Sequence, residues 1–420
     1  MKYFGTDGIR GVVGCNLNTR LIRKVARALA LYFRDKKNKV LLVGNDSRSS
    51  SDFILSTIES IVLRAGIMVE NLGVCSSPCL AYLAKKENYP LAMMISASHN
   101  SSEYNGIKFF NSNGEKVGDK FEEEFEILMD KKFYNKKSEY AFVVDVSHKK
   151  SEYIEFLKSK KISNYPCIVD CAYGGTSSIA KAVFNHQKII NARPTGTNIN
   201  LNCGCTHVEL LKRQCIMEQK IGIAVDGDGD RVILISKSGE EISGDKILFL
   251  LSKFYLHKGD ILVGTTYTNM GLELALKKRG IKLIRANVGD KFVYKKMCEN
   301  SCALGGENSG HIIIKTHSNT GDGLLNSILV MNILSTSKCE IEDLLADYNE
   351  YYQVHKNIKI TNKFVLNSAL KNLIETEEKN DSRIVIRESG TEPLLRVMVE
   401  NKNKTKAEKV LEKIVNSIYF

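Results

Sequence analysis

The chain alternates short apolar segments with amphipathic ones, and this alternation limits its fold more than any other feature. Residues 19–33 have the apolar spacing of a helix, and residues 40–43 have the pattern of a short buried strand. The same order continues with a predicted helix over 54–64, strands over 68–72 and 91–95, and a helix over 122–129. Strands that alternate with helices form parallel or mixed sheets with helices on their faces. The first part of the chain is therefore predicted to be an α/β domain.

The alternation begins again near residue 165 and a third time near residue 261. Further predicted strands are 167–169, 221–225, 261–264 and 282–284, and further predicted helices follow Gly174-Gly175-Thr176 and cover 271–279. The last part differs, because predicted strands over 384–387 and 395–400 surround a polar turn and precede an amphipathic helix over 405–419. We expect three similar mixed-sheet α/β domains and a small C-terminal α+β domain.

Domain limits are predicted from polar, charged stretches over 145–150 and 356–363, which have the composition of linkers. The predicted domains are 1–148, 149–247, 248–357 and 358–420.

Composition and charge exclude several classes of protein. Hydrophobic residues make up 43% of the chain and charged residues 26%, which is typical of a folded globular protein. No apolar run approaches the roughly eighteen residues of a membrane span, and Asp7 interrupts any secretory signal, so we expect a cytoplasmic protein. The net charge of +12 would suit an anionic partner, but the basic clusters are short and lack interleaved aromatic residues. A phosphorylated small molecule is therefore favoured over nucleic acid or a membrane surface.

The eleven cysteines are predicted to be reduced and mostly buried. Their close pairs have CxxxC spacing, which does not favour a closed zinc site. The group Cys203, Cys205 and His207 lacks a fourth ligand nearby.

The most informative stretch is Asp226-Gly227-Asp228-Gly229-Asp230, which directly follows a predicted buried strand. Three carboxylates so close together repel one another unless a cation neutralises them. An EF-hand calcium loop is excluded, because its sixth and twelfth positions would be Arg231 and Lys237 instead of Gly and Glu. Oxygen ligands alone suit Mg²⁺, so a magnesium site is predicted, with a solvated acidic turn as the alternative.

A second candidate site, Ser96-Ala97-Ser98-His99-Asn100, follows the predicted strand over 91–95. A serine at a strand end beside a histidine is a possible nucleophile or phosphate carrier, with Lys108 ten residues further on. The GxSxG pattern is absent from this stretch, which disfavours an acyl-transfer hydrolase. A phosphate on Ser98 would complete the ligand shell of a cation held by the three aspartates, close to Arg231.

A glycine-flanked polar loop, residues 305–311, is the third candidate. Its Glu307 and Ser309 suit the hydroxyl groups of a polar ligand, and His311 could move a proton. By itself the loop could equally be an ordinary polar turn.

The fourth candidate is the stretch from Arg387 through Ser389, Gly390 and Thr391, with Arg396 beyond it. Backbone N–H groups, hydroxyls and guanidinium groups in this arrangement form a nest for an anion, and arginine favours bidentate contact with phosphate. An ordinary turn is again the alternative.

Taken together and in this order, the four stretches resemble the α-D-phosphohexomutase superfamily, and within it the bacterial phosphoglucosamine mutases. The resemblance covers essentially the whole chain. It also includes Phe4-Gly5-Thr6-Asp7-Gly8-Ile9-Arg10-Gly11, residues 264–276, Val288-Gly289-Asp290 and Thr320-Gly321-Asp322-Gly323.

The resemblance implies the four-domain phosphohexomutase architecture, with an active site in the central cleft. It implies an isomerase that interconverts glucosamine 6-phosphate and glucosamine 1-phosphate through a phosphoserine and a sugar 1,6-bisphosphate, which serves as primer or intermediate. The product would supply UDP-N-acetylglucosamine and hence peptidoglycan precursors.

The resemblance also implies residue roles. Ser98 would carry the phosphate, and its phosphate with Asp226, Asp228 and Asp230 would bind Mg²⁺. Arg10, His99 and Lys108 would line the approach, and either Lys108 or His311 would act as acid and base. The sugar phosphate would be bound by Arg231, Glu307 and Ser309. The non-reacting phosphate would be held by Arg387, Ser389, Gly390, Thr391 and Arg396.

Two departures and three alternatives accompany this interpretation. Ser101 replaces a proline usual in the family, which predicts either a looser serine loop or an added phosphorylation site, and Lys291 replaces an arginine. The alternatives are a phosphomannomutase/phosphoglucomutase of broad hexose specificity, a non-catalytic phosphosugar-binding protein, and a nucleic-acid-binding protein. The oligomeric state is left open as monomer or homodimer.

Overall fold

The first sheet and its helices form the N-terminal part of the computed structural model, which describes residues 1–133, 140–360, 364–388 and 393–418. The strands are β1 (Ile9–Val12), β2 (Val40–Asn45), β3 (Met68–Val74), β4 (Leu91–Ile95), β5 (Tyr104–Phe110) and β6 (Val143–Asp145). The helices are α1 (Thr19–Phe33), α2 (Ser51–Val62), α3 (Ser77–Lys86) and α4 (Asp119–Asp130). The strand order is β1-β5-β4-β2-β3-β6, with β2, β3, β4 and β6 parallel and β1 and β5 antiparallel to their neighbours.

Helix α1 forms where the sequence predicts it, because it has both a cap and an apolar face. The side chain of Asn18 accepts a hydrogen bond from the backbone N–H of Leu21, which satisfies one of the free donors of the first turn. Ile22, Leu29 and Phe33 recur at helical spacing and are fully buried in the core of the first domain.

Strand β5 is an element that the sequence did not predict, and it positions a site residue. It pairs antiparallel with β4, which places Lys108 opposite Met94 and Ile107 opposite Ile95. This pairing brings the buried Lys108 back beside the end of β4, and Ser98 lies just after that end in the chain.

The second sheet has the order β11-β10-β9-β7-β8. Its strands are β7 (Cys167–Asp170), β8 (Lys188–Ile190), β9 (Ile221–Val225), β10 (Val232–Ile235) and β11 (Glu241–Ile242), and its helices are α5 (Lys150–Lys160), α6 (Ser177–Val183) and α7 (Glu209–Glu218). Because β9 and β10 pair as an antiparallel hairpin, residues 226–231 form the connection between two buried strands.

The third sheet has the order β13-β12-β14-β15. Its strands are β12 (Ile261–Thr265), β13 (Lys282–Ala286), β14 (Leu304–Gly306) and β15 (Ile312–Ile314). The helices are α8 (Gly244–Tyr255), α9 (Met270–Lys278), α10 (Asp290–Glu299), α11 (Gly323–Ser337) and α12 (Ile341–Leu345). Strands β14 and β15 are antiparallel, so residues 307–311 again form a hairpin connection.

The last sheet is antiparallel and small, with the order β16-β18-β17. Its elements are β16 (Tyr352–Lys359), β17 (Arg383–Glu388), β18 (Leu394–Asn401), α13 (Ser368–Lys379) and α14 (Lys404–Ile418). It has its own core, in which Val410 and Ile414 of α14 pack with Val397 and Val399 of β18.

The predicted architecture is confirmed: three mixed α/β sheets are followed by a small α+β domain. The linker predicted over 356–363 is wrong in its first part, because residues 356–359 belong to β16 and pair with β18. Their polar side chains lie on the exposed side of an edge strand, which gives them the composition of a linker. Residues 361–363 lie outside the described residues. The four domain ranges stay predictions, and two of their limits fall inside α8 and β16.

Two further expectations concern cysteines and membrane spans. All eleven cysteines lie in described ranges, and they are free and mostly buried, as predicted. Across the part of the chain that the structure describes, no helix combines the length and the hydrophobicity that crossing a bilayer requires.

The third and fourth domains meet at buried polar groups. Glu400 of β18 is fully buried and accepts hydrogen bonds from the N–H of Met270 at 2.7 Å and from Arg383 at 2.8 Å. Asn269 exchanges hydrogen bonds with the backbone of Tyr351 and donates its own N–H to Asp245 at 2.8 Å. Burial raises the pKa of Asp245 to about 7 from an ordinary value of 3.8.

Asp245→Asn should make the stability of the protein less dependent on pH. A raised pKa means that the protonated carboxyl stabilises the fold at low pH, and that this contribution is lost as the pH rises from about 4 through about 7. Asparagine stays neutral and keeps an oxygen for the N–H of Asn269. We expect a smaller fall in unfolding temperature between pH 5 and pH 8 than in the unmodified protein. The exposed Asp35→Asn is the control, and equal pH dependence in all three proteins would contradict the prediction.

Candidate active site

The serine loop, residues 96–104, follows β4 and directs a buried hydroxyl at the second domain. Ser98 is fully buried and has a φ of 52°, a left-handed conformation that costs a residue with a side chain about 1–2 kcal/mol. Its Oγ donates to Oδ2 of Asp226 at 2.5 Å and lies 3.5 Å from Nδ1 of His99. The structure thus brings together the serine and the first aspartate, which are 128 residues apart in the chain.

The acidic loop, residues 226–231, gathers the three predicted metal ligands. Asp226, Asp228 and Asp230 are buried, and each offers a carboxylate oxygen within 4.8 Å of the other two. The backbone N–H groups of Gly229 and Arg231 donate to Oδ1 of Asp226 at 3.1 and 3.2 Å, which fixes the turn. Oδ1 of Asp228 and Oδ1 of Asp230 are buried without a hydrogen-bond partner. Three converging carboxylates, two of them with an unpartnered buried oxygen, fit a divalent cation.

The three carboxyl groups differ in their electrostatic surroundings. Burial and the neighbouring Asp228 and Asp230 raise the pKa of Asp226 well above its usual range. Burial opposes ionisation of Asp228 as well, but the ammonium group of Lys108, 2.8 Å from Oδ2, holds its pKa below the ordinary value. Asp226, the carboxyl group in contact with Ser98, therefore favours its neutral form unless a cation binds beside it.

Arg10, His99 and Lys108 lie around this loop. Lys108 also lies 3.0 Å from Oδ2 of Asp7, and Arg10 forms an ion pair with the same carboxylate. Although burial opposes its charge, the pKa of Lys108 is raised by Asp228 and Asp7. Burial, together with Arg231 and Arg10, lowers the pKa of His99 to about 4. Lys108 is therefore a cation near neutral pH, and His99 is uncharged.

The glycine-flanked loop, residues 305–311, lies against the acidic loop through a backbone bridge between Arg231 and His311. Nε2 of the buried His311 lies 3.4 Å from Oδ2 of Asp290 and 3.8 Å from Oδ2 of Asp230. Glu307 is oriented by the N–H of Gly289, which donates to its Oε1 at 3.0 Å. Ser309 is exposed. The structure thus joins the acidic loop to the glycine-flanked loop.

The fourth candidate is described only in part, because Ser389, Gly390 and Thr391 lie outside the described residues. Arg387 and Arg396 are paired opposite each other on β17 and β18. Nε of Arg387 donates to the hydroxyl of Tyr267 at 3.0 Å, and its guanidinium group lies 5.0 Å from the ring centroid. This contact ties the start of the predicted phosphate clamp to the third domain.

Lys116 is a residue of this cluster that the sequence did not indicate. Its ammonium group lies 3.0 Å from Oδ1 of Asp7 and 3.3 Å from Oδ2 of Asp230, and it forms an ion pair with Asp290. One buried cation therefore joins carboxylates from the first, second and third domains. Asp7 and Asp290 occur in stretches that carry the family resemblance, but no pattern marked Lys116 itself.

Lys291, one of the two departures, also joins two domains. Its ammonium group lies 2.8 Å from Oδ1 of Asp119 and 2.7 Å from Oε2 of Glu122, both in α4 of the first domain.

Three parts of the chain match family models. Residues 1–136 match the phosphoglucomutase/phosphomannomutase alpha/beta/alpha domain I, residues 243–351 match domain III, and residues 338–417 match the C-terminal domain. The phosphoglucosamine mutase of Dictyoglomus turgidum is 38% identical over 419 residues, which cover 95% of this chain and 94% of that protein. The phosphoglucosamine mutase of Haemophilus ducreyi is 37% identical over 438 residues, which cover 99% of this chain and 98% of that protein.

The chain belongs to the phosphoglucosamine mutase family. It is accordingly an isomerase built from phosphohexomutase domains.

Solved structures share this fold. A phosphoglucomutase/phosphomannomutase family protein from Burkholderia thailandensis superimposes with a TM-score of 0.80 at 20% identity, covering 97% of this chain and 95% of that one. The N-acetylphosphoglucosamine mutase of Aspergillus fumigatus, in complex with GlcNAc-6P and magnesium, gives a TM-score of 0.70 at 16% identity, covering 99% and 95%. The predicted four-domain phosphohexomutase fold is therefore confirmed.

Lys116→Met should destabilise the protein strongly. It removes the cation from a site where Asp230 and Asp290 would remain buried and Asp7 partly buried, and breaking a buried ion pair on one side costs about 3–5 kcal/mol. The measurement is the thermal unfolding temperature, for which we expect a fall of several degrees. Lys120→Met is the matched control, since this lysine is exposed one turn further on. Equal unfolding temperatures for the two variants would contradict a role of Lys116 in neutralising the cluster.

Proposed function

We propose that this protein interconverts glucosamine 6-phosphate and glucosamine 1-phosphate through a phosphorylated Ser98 and a sugar 1,6-bisphosphate. The observation that carries the proposal is the contact of Ser98 Oγ with Asp226, at the edge of three buried, converging carboxylates. A serine in this place can carry a phosphoryl group into an electrostatically prepared site. The amino-sugar substrate is supported by the curated relatives, which are named phosphoglucosamine mutases.

Asp226, Asp228 and Asp230 would hold Mg²⁺ together with an oxygen of the Ser98 phosphate. When bound, the ion would neutralise charge on the transferring phosphoryl group. The fit rests on the unpartnered oxygens of Asp228 and Asp230 and on the mutual repulsion of the three carboxyl groups, which with burial raises the pKa of Asp226.

We assign proton transfer to Lys108 in preference to His311. The Lys108 ammonium group lies between Asp228 and Asp7, carries a proton near neutral pH, and reaches the acidic loop beside Ser98. It would protonate the serine oxygen as the phosphoryl group passes to a sugar hydroxyl, and it would regain a proton from that hydroxyl as the new O–P bond forms. His311 packs closely against Gly321 and faces Asp290, so its proposed role is to position that carboxylate. Arg10 and the uncharged His99 would line the approach.

The sugar phosphate would be held by groups from several domains. Glu307, oriented by the N–H of Gly289, would accept hydrogen bonds from sugar hydroxyls. The exposed Ser309 would donate a hydrogen bond to a sugar hydroxyl. Arg231 would face the reacting phosphate. The other phosphate would lie at Arg387 and Arg396, together with Ser389, Gly390 and Thr391. After the first transfer the bisphosphate would turn around, so that the same serine takes the second phosphate.

The cellular setting completes the proposal. The enzyme would act in the cytoplasm on a free phosphosugar, without nucleic acid, as a monomer or homodimer. Its product would enter UDP-N-acetylglucosamine and peptidoglycan synthesis.

A comparison of sugar phosphates tests the proposed function. The purified protein, with Mg²⁺ and a glucose 1,6-bisphosphate primer, should turn over glucosamine 6-phosphate with a higher kcat/KM than glucose 1-phosphate or mannose 1-phosphate. Chelation of Mg²⁺ should abolish turnover. Equal or greater activity on the neutral sugars would instead indicate a phosphomannomutase/phosphoglucomutase of broad specificity. Tight binding of phosphosugar without turnover would indicate a binding protein.

Ser98→Ala should abolish mutase activity, a loss of at least about 10³-fold, because it removes the hydroxyl group that is proposed to carry the phosphoryl group. Intact mass after incubation with the bisphosphate should show one added phosphate on the unmodified protein and none on the variant. Ser102→Ala, in the same loop, is the control that keeps both activity and phosphate. Undiminished turnover by Ser98→Ala would disprove the phosphoserine mechanism.

A further inference from the structure

The backbone of the serine loop accepts hydrogen bonds from one buried arginine. Arg48 follows β2, and its side chain is completely buried. Its guanidinium group donates to the carbonyl oxygens of Ser98 at 2.9 Å, Asn100 at 2.8 Å and Tyr104 at 2.8 Å, and also to that of Ser101. Four carbonyl groups of a single loop therefore accept from one rigid, planar donor.

A second donor reaches the same loop from the second domain. Nδ2 of Asn200 donates to the carbonyl oxygens of Ser98 at 2.8 Å and Asn100 at 2.9 Å. The loop and the second domain are in close contact here, because a Cβ atom on Gly227 would lie 2.7 Å from the Ser98 carbonyl oxygen. The Ser98 carbonyl thus fixes the serine loop against the acidic loop, with Arg48 on one side and Asn200 on the other.

The N–H side of Ser98 is held by a separate chain of bonds that leads back to the same arginine. Ser98 N–H donates to Oγ of Ser96 at 2.9 Å, and that hydroxyl donates to Oδ2 of Asp46 at 2.6 Å. Asp46 in turn accepts from Nε of Arg48 at 2.9 Å. Both peptide groups that flank the Cα of Ser98 are therefore tied to Arg48.

We propose that Arg48 and Asn200 are positioning residues for phosphoryl transfer. The side chains of Arg48 and Asn200 together form what we call the carbonyl clamp. On the basis of the proposed function, the clamp holds Ser98 in its left-handed conformation and aims Oγ at Asp226. A strained residue persists only where its surroundings hold it, and here the surroundings are side-chain donors on its own carbonyl group. Arg48 and Asn200 contact the serine loop through its backbone carbonyl groups, so the clamp acts through the geometry of the serine.

Loss of the clamp should slow chemistry more than it weakens substrate binding. A misplacement of a reacting group by about 1 Å costs on the order of 10²-fold in rate. Arg48→Lys keeps the positive charge beside Asp46 but cannot reach four carbonyl groups. Asn200→Asp keeps the shape of the side chain but turns a donor toward the carbonyl groups into an acceptor.

The experiment measures kcat, KM and the rate at which glucose 1,6-bisphosphate phosphorylates Ser98, followed by intact mass. For Arg48→Lys, Asn200→Ala and Asn200→Asp we expect kcat and the phosphorylation rate to fall about 10- to 100-fold, with KM changed less than about threefold. Asn198→Ala is the control for Asn200, since its side chain bonds to Thr195 and Arg193 in the same segment. Arg279→Lys, whose side chain donates to Ser252, is the control for arginine replacement.

The outcomes separate the clamp from the proposed function. An unmodified protein that neither turns over sugar phosphates nor accepts phosphate on Ser98 would refute the function itself. An active protein whose clamp variants phosphorylate Ser98 at the normal rate would overturn the clamp, and so would variants that lose only thermal stability. If Arg48→Lys does not fold, the two Asn200 variants decide, because Asn200 lies outside the core of the first domain.

Discussion

The active cleft depends on the neutralisation of buried carboxylates by cations from other parts of the chain. Asp228 and Asp230 follow a buried strand of the second sheet, yet Lys108 and Lys116, which contact them, belong to the first domain. Carboxylates removed from water are unfavourable unless paired, so the domains must stay together for the acidic loop to keep its charge. The same ion pairs that assemble the domains therefore also create the electrostatic field of the site.

The serine, acidic and glycine-flanked loops meet because of the positions at which they leave their sheets. The serine loop begins at the end of β4, and the acidic and glycine-flanked loops each close an antiparallel hairpin, β9–β10 and β14–β15. The ends of these loops are held in place because the strands that flank them are buried and hydrogen-bonded within their sheets. The short connections then leave few conformations for Ser98, Asp226 or His311, which is the rigid support that a phosphoryl-transfer site needs.

Local sequence predicted strands such as β2, β4 and β9, helices such as α1 and α14, and the chemical character of each loop. It missed β5, the hairpin strands β10, β14 and β15, and helices such as α3 and α8. Asp226, Asp228 and Asp230 could be identified because three carboxylates within five residues have few explanations besides a cation. Lys116 and Arg48 could not, because a single basic residue has no pattern, and its role depends on which carboxylates or carbonyl groups the fold brings to it. The linker over 356–363 failed for a related reason, since the polar face of an edge strand has the composition of a loop.

The serine loop and Arg387 of the fourth domain are held by different kinds of contact, and this difference bears on how one site acts on both ends of a sugar. Ser98 is held by buried donors from two domains, and the acidic loop by ion pairs to the first domain. Arg387, by comparison, reaches the third domain through a partly buried contact with Tyr267. Under the proposed function, the groups that transfer phosphate stay fixed. Arg387 can exchange its contact with Tyr267 for the distant phosphate while the intermediate turns, and Glu400 keeps the third and fourth domains in contact. A reaction that uses the same serine twice requires this division, because a mobile nucleophile would have to be repositioned after each transfer.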